Sequence, residues 1–202
     1  MARDPHWRRL DAGSIAFHVH PAAYGGLAFN PHRDPSKPSR FSPWPTPGGV
    51  AIPSWYGGIT QAGALYETVF RDVVGRVDRS IPRVALLDRR LSVVVIQRPL
   101  ELLELHGAGL ASLGLETWLT ACTKERYDET TAEAARLHSA FQGAQGFIWR
   151  SRINNDEFSF VLLGDRVDPA TFGDCISTLP LDSGAGFAMV LRAANRISCL
   201  IA

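Results

Sequence analysis

Residues 14–20, Ser-Ile-Ala-Phe-His-Val-His, alternate apolar and polar positions with the period of two that predicts a first strand. Residues 51–56 form a second short run, ended by Gly57-Gly58. The period then changes. Ala62, Leu65, Val69 and Val73 recur at helical spacing behind Thr60, a residue suited to an N-cap, and predict a helix from Thr60 to about Val73 with Glu67 on the rim of its apolar stripe. β-branched runs at 83–88 and 92–97, bounded by Pro82, the Asp88-Arg89-Arg90 turn and Pro99, predict strands. The Leu-rich stretch 100–119, broken by Gly107, Gly109 and Gly114, reads as short helical pieces. Thr130-x-x-Glu133 has the spacing of a capping box and predicts a helix through Phe141. Residues 146–151 and 158–163 predict strands joined by the polar turn Asn154-Asn155-Asp156, and 186–191 and 197–201 add edge strands. Residues 21–50, rich in Pro, Gly, Ser and aromatics, form a long irregular segment of the kind that often carries function. This order predicts an α+β fold: one compact domain over 1–202, with a mixed β-sheet core and flanking helices.

Composition agrees with that picture. With 202 residues, 46% hydrophobic and 20% charged, the chain has enough apolar material for one core and lacks the signature of disorder. Its 21 basic and 20 acidic side chains leave a net charge of +1 with no block of one sign, which argues against direct nucleic-acid binding. Cys122, Cys175 and Cys199 are widely spaced without a CxxC pair, as expected of a reducing compartment. The N-terminus leads into no apolar signal region, and the longest apolar run, 91–96, is too short to span a bilayer. A soluble, cytoplasmic protein is expected.

Three polar residues stand in apolar or aromatic company: Arg40 in Ser39-Arg40-Phe41-Ser42-Pro43, Glu67 in Leu65-Tyr66-Glu67-Thr68-Val69, and Ser151 after Phe147-Ile148-Trp149-Arg150. A charge in such a setting is costly without a partner or a task. The guanidinium of Arg40 suits bidentate capture of a phosphate or carboxylate, or else snorkels over Phe41 and Trp44. Glu67 suits stabilisation of a developing positive charge, or else pairs with Arg71 four residues on. Tyr56, before two glycines, suits stacking on a flat ring or a hydrogen bond to a ribose, or else is a turn residue. Ser151 lacks the Gly-x-Ser-x-Gly setting of a hydrolase nucleophile. His18 and His20 share a strand face, but no third ligand stands at a usual spacing, so no metal is expected. Trp149, Arg150 and Arg152 sit beside Ser151 and suit stacking and charge, or else Arg150 faces solvent.

The ordered set Phe17-His18-Val19-His20, Arg40-Phe41-Ser42-Pro43, Trp55-Tyr56-Gly57, Ala64-Leu65-Tyr66-Glu67-Thr68-Val69-Phe70, Gly146-Phe147-Ile148-Trp149-Arg150-Ser151 and Phe160-Val161-Leu162-Leu163-Gly164 resembles the RES-domain family, over residues 14–166. The resemblance implies a fold similar to ADP-ribosyltransferase toxins. It also implies a toxin of a bacterial toxin–antitoxin pair that degrades NAD⁺ by phosphorolysis of the nicotinamide–ribose bond. NAD⁺ would then be the substrate and inorganic phosphate the co-substrate, with no cofactor. The implied partner is an Xre-like helix-turn-helix antitoxin; a homodimer is left open. Carried over, Arg40 would bind the pyrophosphate or the attacking phosphate, and Tyr56 would pack at the nicotinamide end. Glu67 would stabilise the oxocarbenium-like ribose, and Ser151 would hydrogen-bond near the same ring. Many members have an arginine where this chain has His18, and a histidine where it has Arg71. His18 is a weaker, pH-dependent phosphate ligand, and Arg33 or Arg152 could substitute for the missing arginine. ADP-ribosyl transfer to a protein and an inactive antitoxin-binding module remain alternatives.

Overall fold

The structure is a computed structural model that describes residues 4–31, 39–41, 43–46, 48–75 and 77–202, with only the backbone of Pro169. Its strands are β1 (Trp7–Leu10), β2 (Ile15–Pro21), β3 (Ser54–Gly58), β4 (Ser80–Ile81), β5 (Arg89–Ile96), β6 (Leu100–Glu104), β7 (Gly146–Arg150), β8 (Phe158–Leu163), β9 (Phe172–Pro180) and β10 (Leu200–Ile201). Its helices are α1 (Gln61–Tyr66), α2 (Gly107–Ser112), α3 (Trp118–Ala121), α4 (Tyr127–Ala140) and α5 (Gly184–Arg196). Eight strands join in one mixed sheet of order β1-β6-β7-β8-β3-β2-β5-β9, in which only β6 and β7 run parallel. β4 and β10 form a separate parallel pair.

The period-two rule sorts the side chains of the central strands into two faces. Phe147, Trp149, Val161 and Leu163 point to one face, where Leu119 of α3 and Ala134 and Leu137 of α4 cover them together with Phe41 and Trp44. Ile148, Phe160 and Leu162 point to the other and meet Leu10, Ala16, Val94, Ile96 and Leu100, all from strands or strand ends. Strands far apart in the sheet order therefore share one core, which requires the sheet to curl. A third cluster packs α1 and α5, through Leu65, Tyr66, Val190 and Ala194, on Val19 and Leu91 of β2 and β5. Burial on both faces explains why β7 and β8 read as nearly continuous apolar runs.

The α+β fold with a mixed sheet and flanking helices is therefore as expected, and several elements differ in detail. β3 begins at Ser54 and includes Gly57 and Gly58. Those glycines serve the protein's own packing: a Cβ on Gly57 would lie 2.5 Å from the Trp55 ring, and one on Gly58 would lie 2.4 Å from the Ala64 nitrogen. Thr60 caps α1 as its spacing predicts, accepting from Gly63 N at 2.9 Å, but the helix ends at Tyr66 and Glu67 is its C-cap. Thr68 Oγ1 donates to the Ala64 carbonyl at 2.6 Å, and the amides of Thr68, Val69 and Phe70 converge on the Leu65 carbonyl. This side-chain competition unwinds the turn. Residues 83–86 form a 3₁₀ turn opened by Pro82, where a strand was expected. Leu100–Glu104 is a strand, because pairing with both β1 and β7 outweighs the helical preference of leucine. Thr130 lies inside the first turn of α4, donating to the carbonyls of Arg40 and Tyr127, and Glu133 pairs with Arg136, so the capping box is not formed. Gly186–Leu191 lies in α5 and not in an edge strand. No disulfide joins the three cysteines among the described residues.

Candidate active site

β2 and β3 are neighbours in the sheet, yet their ladder is registered at Phe17 and Gly58 alone. Past that pair the strands part, and a cleft of about 520 Å³ opens between them, lined by His18, Arg40, Tyr56, Glu67, Arg71 and Tyr127 among others. Residues distant in sequence meet here because β2, β3, the irregular segment after β2, the turn after α1 and the start of α4 all end at this split.

Arg40 is 4% exposed. Its Nη1 donates to the carbonyls of Leu119 at 3.4 Å and Cys122 at 3.2 Å, and to Cys122 Sγ at 3.4 Å; its guanidinium carbon lies 5.2 Å from the centre of the Tyr127 ring. Carbonyl dipoles and a ring face do not neutralise the charge, and Nε has no partner among the described residues. A buried guanidinium so arranged keeps its capacity for an anion. Tyr56 fixes the segment that carries it: the phenol oxygen accepts from Phe41 N at 2.8 Å and donates to Ser39 Oγ at 3.2 Å. Burial pushes the phenol up from its ordinary value, so it stays protonated. The hydroxyl anticipated for a ribose is engaged with the Arg40 segment, while the ring lines the cleft.

Glu67 leaves the end of α1 half-buried, and Ser151, fully buried, donates from Oγ to Glu67 Oε1 at 2.9 Å. The same hydroxyl accepts from Ile153 N at 3.2 Å, so both of its capacities are used within the protein. Glu67 thus pairs with Ser151 and not with Arg71, whose Nε lies 3.6 Å from Asp72 Oδ2; the i,i+4 relation is lost where the helix stops. Arg152 donates from Nη2 to the Arg71 carbonyl at 2.5 Å. The β7–β8 hairpin therefore clamps α1 at both ends. Ser151 and Arg152 hold the turn after it, and Glu157 accepts from the N-cap Thr60. Trp149 is buried beneath the site against Phe41 and Tyr56, and Arg150 is exposed over Phe158.

His18 and His20 share a face and stack, with centroids 5.1 Å apart and planes at 12°. His18 Nδ1 lies 2.5 Å from the Tyr56 carbonyl oxygen, replacing a ladder bond lost at the split. His20 is bonded at both nitrogens, to Pro21 O at 2.9 Å and Ser92 Oγ at 2.8 Å. Desolvation lowers the pKa of His18 to about 4, with His20 adding to the shift and the Tyr56 hydrogen bond opposing it. Among the described residues no group of three or more His, Cys, Asp or Glu is placed to hold a metal.

The profile of the RES domain family matches residues 7–182, most of the chain. The chain belongs to the RES domain family. No curated protein sequence matches this RES domain. A solved structure is similar to it, that of the Mycobacterium tuberculosis MbcT–MbcA toxin–antitoxin complex, with a TM-score of 0.54 and 14% identity, covering 92% of each chain. At that identity the likeness shows a shared fold. Within this RES domain Arg40, Glu67, Tyr56 and His18 line one cleft, whereas Ser151 and Arg152 stand behind it and hold its wall. Arg33 lies outside the described residues. Sequence reasoning missed Tyr127, which is 5% exposed in the cleft; its phenol is pushed up by burial and pulled down by Arg40 and Arg71. A tyrosine opening a helix carries no local mark of such a position. No helix of the described residues is long and apolar enough to cross a membrane.

Proposed function

We propose that this RES domain is the toxin of a toxin–antitoxin pair, cleaving the nicotinamide–ribose bond of NAD⁺ with inorganic phosphate as acceptor. The products are nicotinamide and ADP-ribose-1″-phosphate, no cofactor is needed, and the neutralising partner is an Xre-like helix-turn-helix antitoxin. One observation carries the reading: Arg40, buried and with no partner at Nε among the described residues, lines the same cleft as Glu67, a carboxylate held in place by Ser151. Family membership and the fold shared with the toxin–antitoxin complex support it.

The chemistry asks for this kind of site. The electron pair of the glycosidic C–N bond leaves with nicotinamide, which departs neutral, so no strong acid is required. The ribose becomes oxocarbenium-like, and a phosphate oxygen supplies the pair for the new C–O bond. Glu67 stabilises the cationic ring and holds its hydroxyl, and Ser151 keeps that carboxylate aimed. Arg40 binds a phosphate oxygen, of the pyrophosphate or of the attacking anion, with Arg71 nearby. Tyr56 packs at the nicotinamide end and locks the Arg40 segment, which is catalysis by positioning.

The test is incubation of purified protein with NAD⁺, with and without phosphate, followed by product identification. Loss of NAD⁺ only with phosphate is expected. Equal loss without it would replace phosphorolysis by hydrolysis, and mass added to a protein target would replace it by ADP-ribosyl transfer. Survival of NAD⁺ with folded protein would refute the reading. Arg40→Ala and Glu67→Ala are each expected to relieve growth arrest on expression, with turnover down about 10²–10³-fold, the cost of removing one preorganised charge-stabilising group.

A further inference from the structure

His18 stands where β2 and β3 part, and its ring is fixed from several sides. It lies near-parallel to Trp55, with centroids 4.6 Å apart, and to His20. Its Nδ1 faces the Tyr56 carbonyl. A carbonyl oxygen only accepts, so Nδ1 carries the ring proton and Nε2 keeps its lone pair. A second proton is disfavoured by burial, as the lowered pKa of about 4 reflects. His20 gives His18 no acceptor: its Nδ1 proton goes to Pro21 O and its Nε2 accepts from Ser92 Oγ. From β3 the ring meets Trp55 and the Tyr56 backbone, and among the described residues the charged groups sharing the cleft are Glu67, Arg40 and Arg71. Nε2 has no partner among the described residues, and His18 lines the cleft.

We propose that His18 is a hydrogen-bond acceptor in this cleft: its Nε2 takes an O–H or N–H of the ligand, and it does not contact phosphate. This rests on the reading of the cleft as an NAD⁺ site. The donors NAD⁺ offers near the scissile bond are the ribose hydroxyls and the carboxamide NH₂. A neutral imidazole with its lone pair forward repels a phosphate oxygen. Anion binding therefore falls to Arg40 and Arg71, and His18 selects the neutral end of the ligand. A pH-dependent phosphate ligand would need a protonated imidazole, which this setting disfavours.

Two measurements test it. Nitrogen-resolved NMR of the ligand-free protein is expected to show His18 protonated at Nδ1, bare at Nε2 and not titrating between about pH 5.5 and 8. A midpoint inside that window, or a proton on Nε2, overturns the proposal. This arm needs no ligand, so it is decided whether or not NAD⁺ is a substrate. Calorimetric binding then compares wild type, His18→Gln and His18→Phe, with thermal melts confirming folding. His18→Phe is expected to weaken NAD⁺ about tenfold, the scale of one lost hydrogen bond to a buried acceptor, and His18→Gln to recover part of it through its amide oxygen. The penalty should vanish for the single analogue that lacks the recognised donor: the deamidated dinucleotide if it is the carboxamide, a deoxyribose analogue if it is a hydroxyl. A penalty equal across all analogues, or a loss of inorganic phosphate affinity in both variants, overturns the proposal. If folded wild type binds no NAD⁺ while the NMR arm holds, the NAD⁺ reading and the ligand assigned to His18 both fail, and only the tautomer stands.

Discussion

Ser151 shows how a residue can matter to a site without touching what enters it. Its hydroxyl donates to Glu67 and accepts from Ile153 N, so its contribution to chemistry runs through the carboxylate. Ser151→Ala is expected to lower kcat about 10–100-fold with KM for NAD⁺ changed little, because an untethered Glu67 loses aim more than affinity. A change in KM alone would place Ser151 on the substrate instead. At the same scale His18 sets an acid limit on stability. Its folded pKa of about 4 lies below the unfolded value near 6.5, so below that pH the unfolded chain gains a proton that the folded chain resists. Stability is unaffected above about pH 6.5 and falls as the pH drops toward 4, by up to roughly 3 kcal/mol. Urea titrations at pH 7.5 and 5 should show a smaller decline in His18→Gln than in wild type. Arg40, Glu67, Tyr56 and Ser151 were legible as candidates because charge and hydroxyl stood out against apolar flanks. What binds them into one site was not legible, since the Arg40–Cys122, Tyr56–Phe41 and Glu67–Ser151 partners lie 15 or more residues apart in the chain.

At the scale of elements, the legible ones are those whose local pattern and tertiary setting agree. β2, β7 and β8 follow their sequence reading closely, with bounds shifted by a residue or less at most ends. The missed ones carry conflicting signals. β1 is an edge strand whose Trp7, Arg8 and Arg9 are exposed, so its apolar face is invisible, though such charges suit an edge. β9 keeps alternating burial past the register shifts opposite Val93 and Val94, but its residue types do not follow it, since Ile176 is exposed and Ser177 half-buried. α5 looks like a strand over Gly186–Leu191 alone; its buried positions Gly186, Val190, Ala193 and Ala194 show a helical period only over the longer window. The β7–β8 pairing that carries Ser151 depends on a missing side chain. A Cβ on Gly146 would lie 2.0 Å from the Val161 carbonyl oxygen and 3.0 Å from Leu102 Cδ2. Backbone cannot give way cheaply there, so Gly146→Ala is expected to destabilise by about 3 kcal/mol or more. At Gly143 the nearest atom, in the Trp7 ring, would be 3.9 Å away, and Gly143→Ala should be near neutral in the same denaturation assay.

For the whole molecule, the cleft joins two separately covered parts of the curled sheet. Arg40 and Tyr127 belong to the part under α3 and α4; Glu67 and Arg71 belong to the turn after α1, on the part under α1 and α5. Between the parts, β2 and β3 share one registered pair, and the remaining ties include the His18–Tyr56, Ser151–Glu67 and Arg152–Arg71 bonds. A ligand that reaches Arg40 at one end and Glu67 at the other therefore bridges them. A non-cleavable NAD⁺ analogue at about 100 times its Kd stabilises the folded state by about 2.7 kcal/mol, worth roughly 5–10 °C in Tm for a chain of this size. The location of the protection is more telling than its amount. Hydrogen exchange should slow at Phe41 N, bonded to Tyr56, and equally through Thr68–Val73 beyond α1, because one ligand restrains both walls. The variant Arg40→Ala should keep protection after α1 and lose it at Phe41, whereas Glu67→Gln should do the reverse. Protection confined to one wall in the wild type would mean that the ligand occupies half the cleft, and that Arg40 and Glu67 do not serve one substrate.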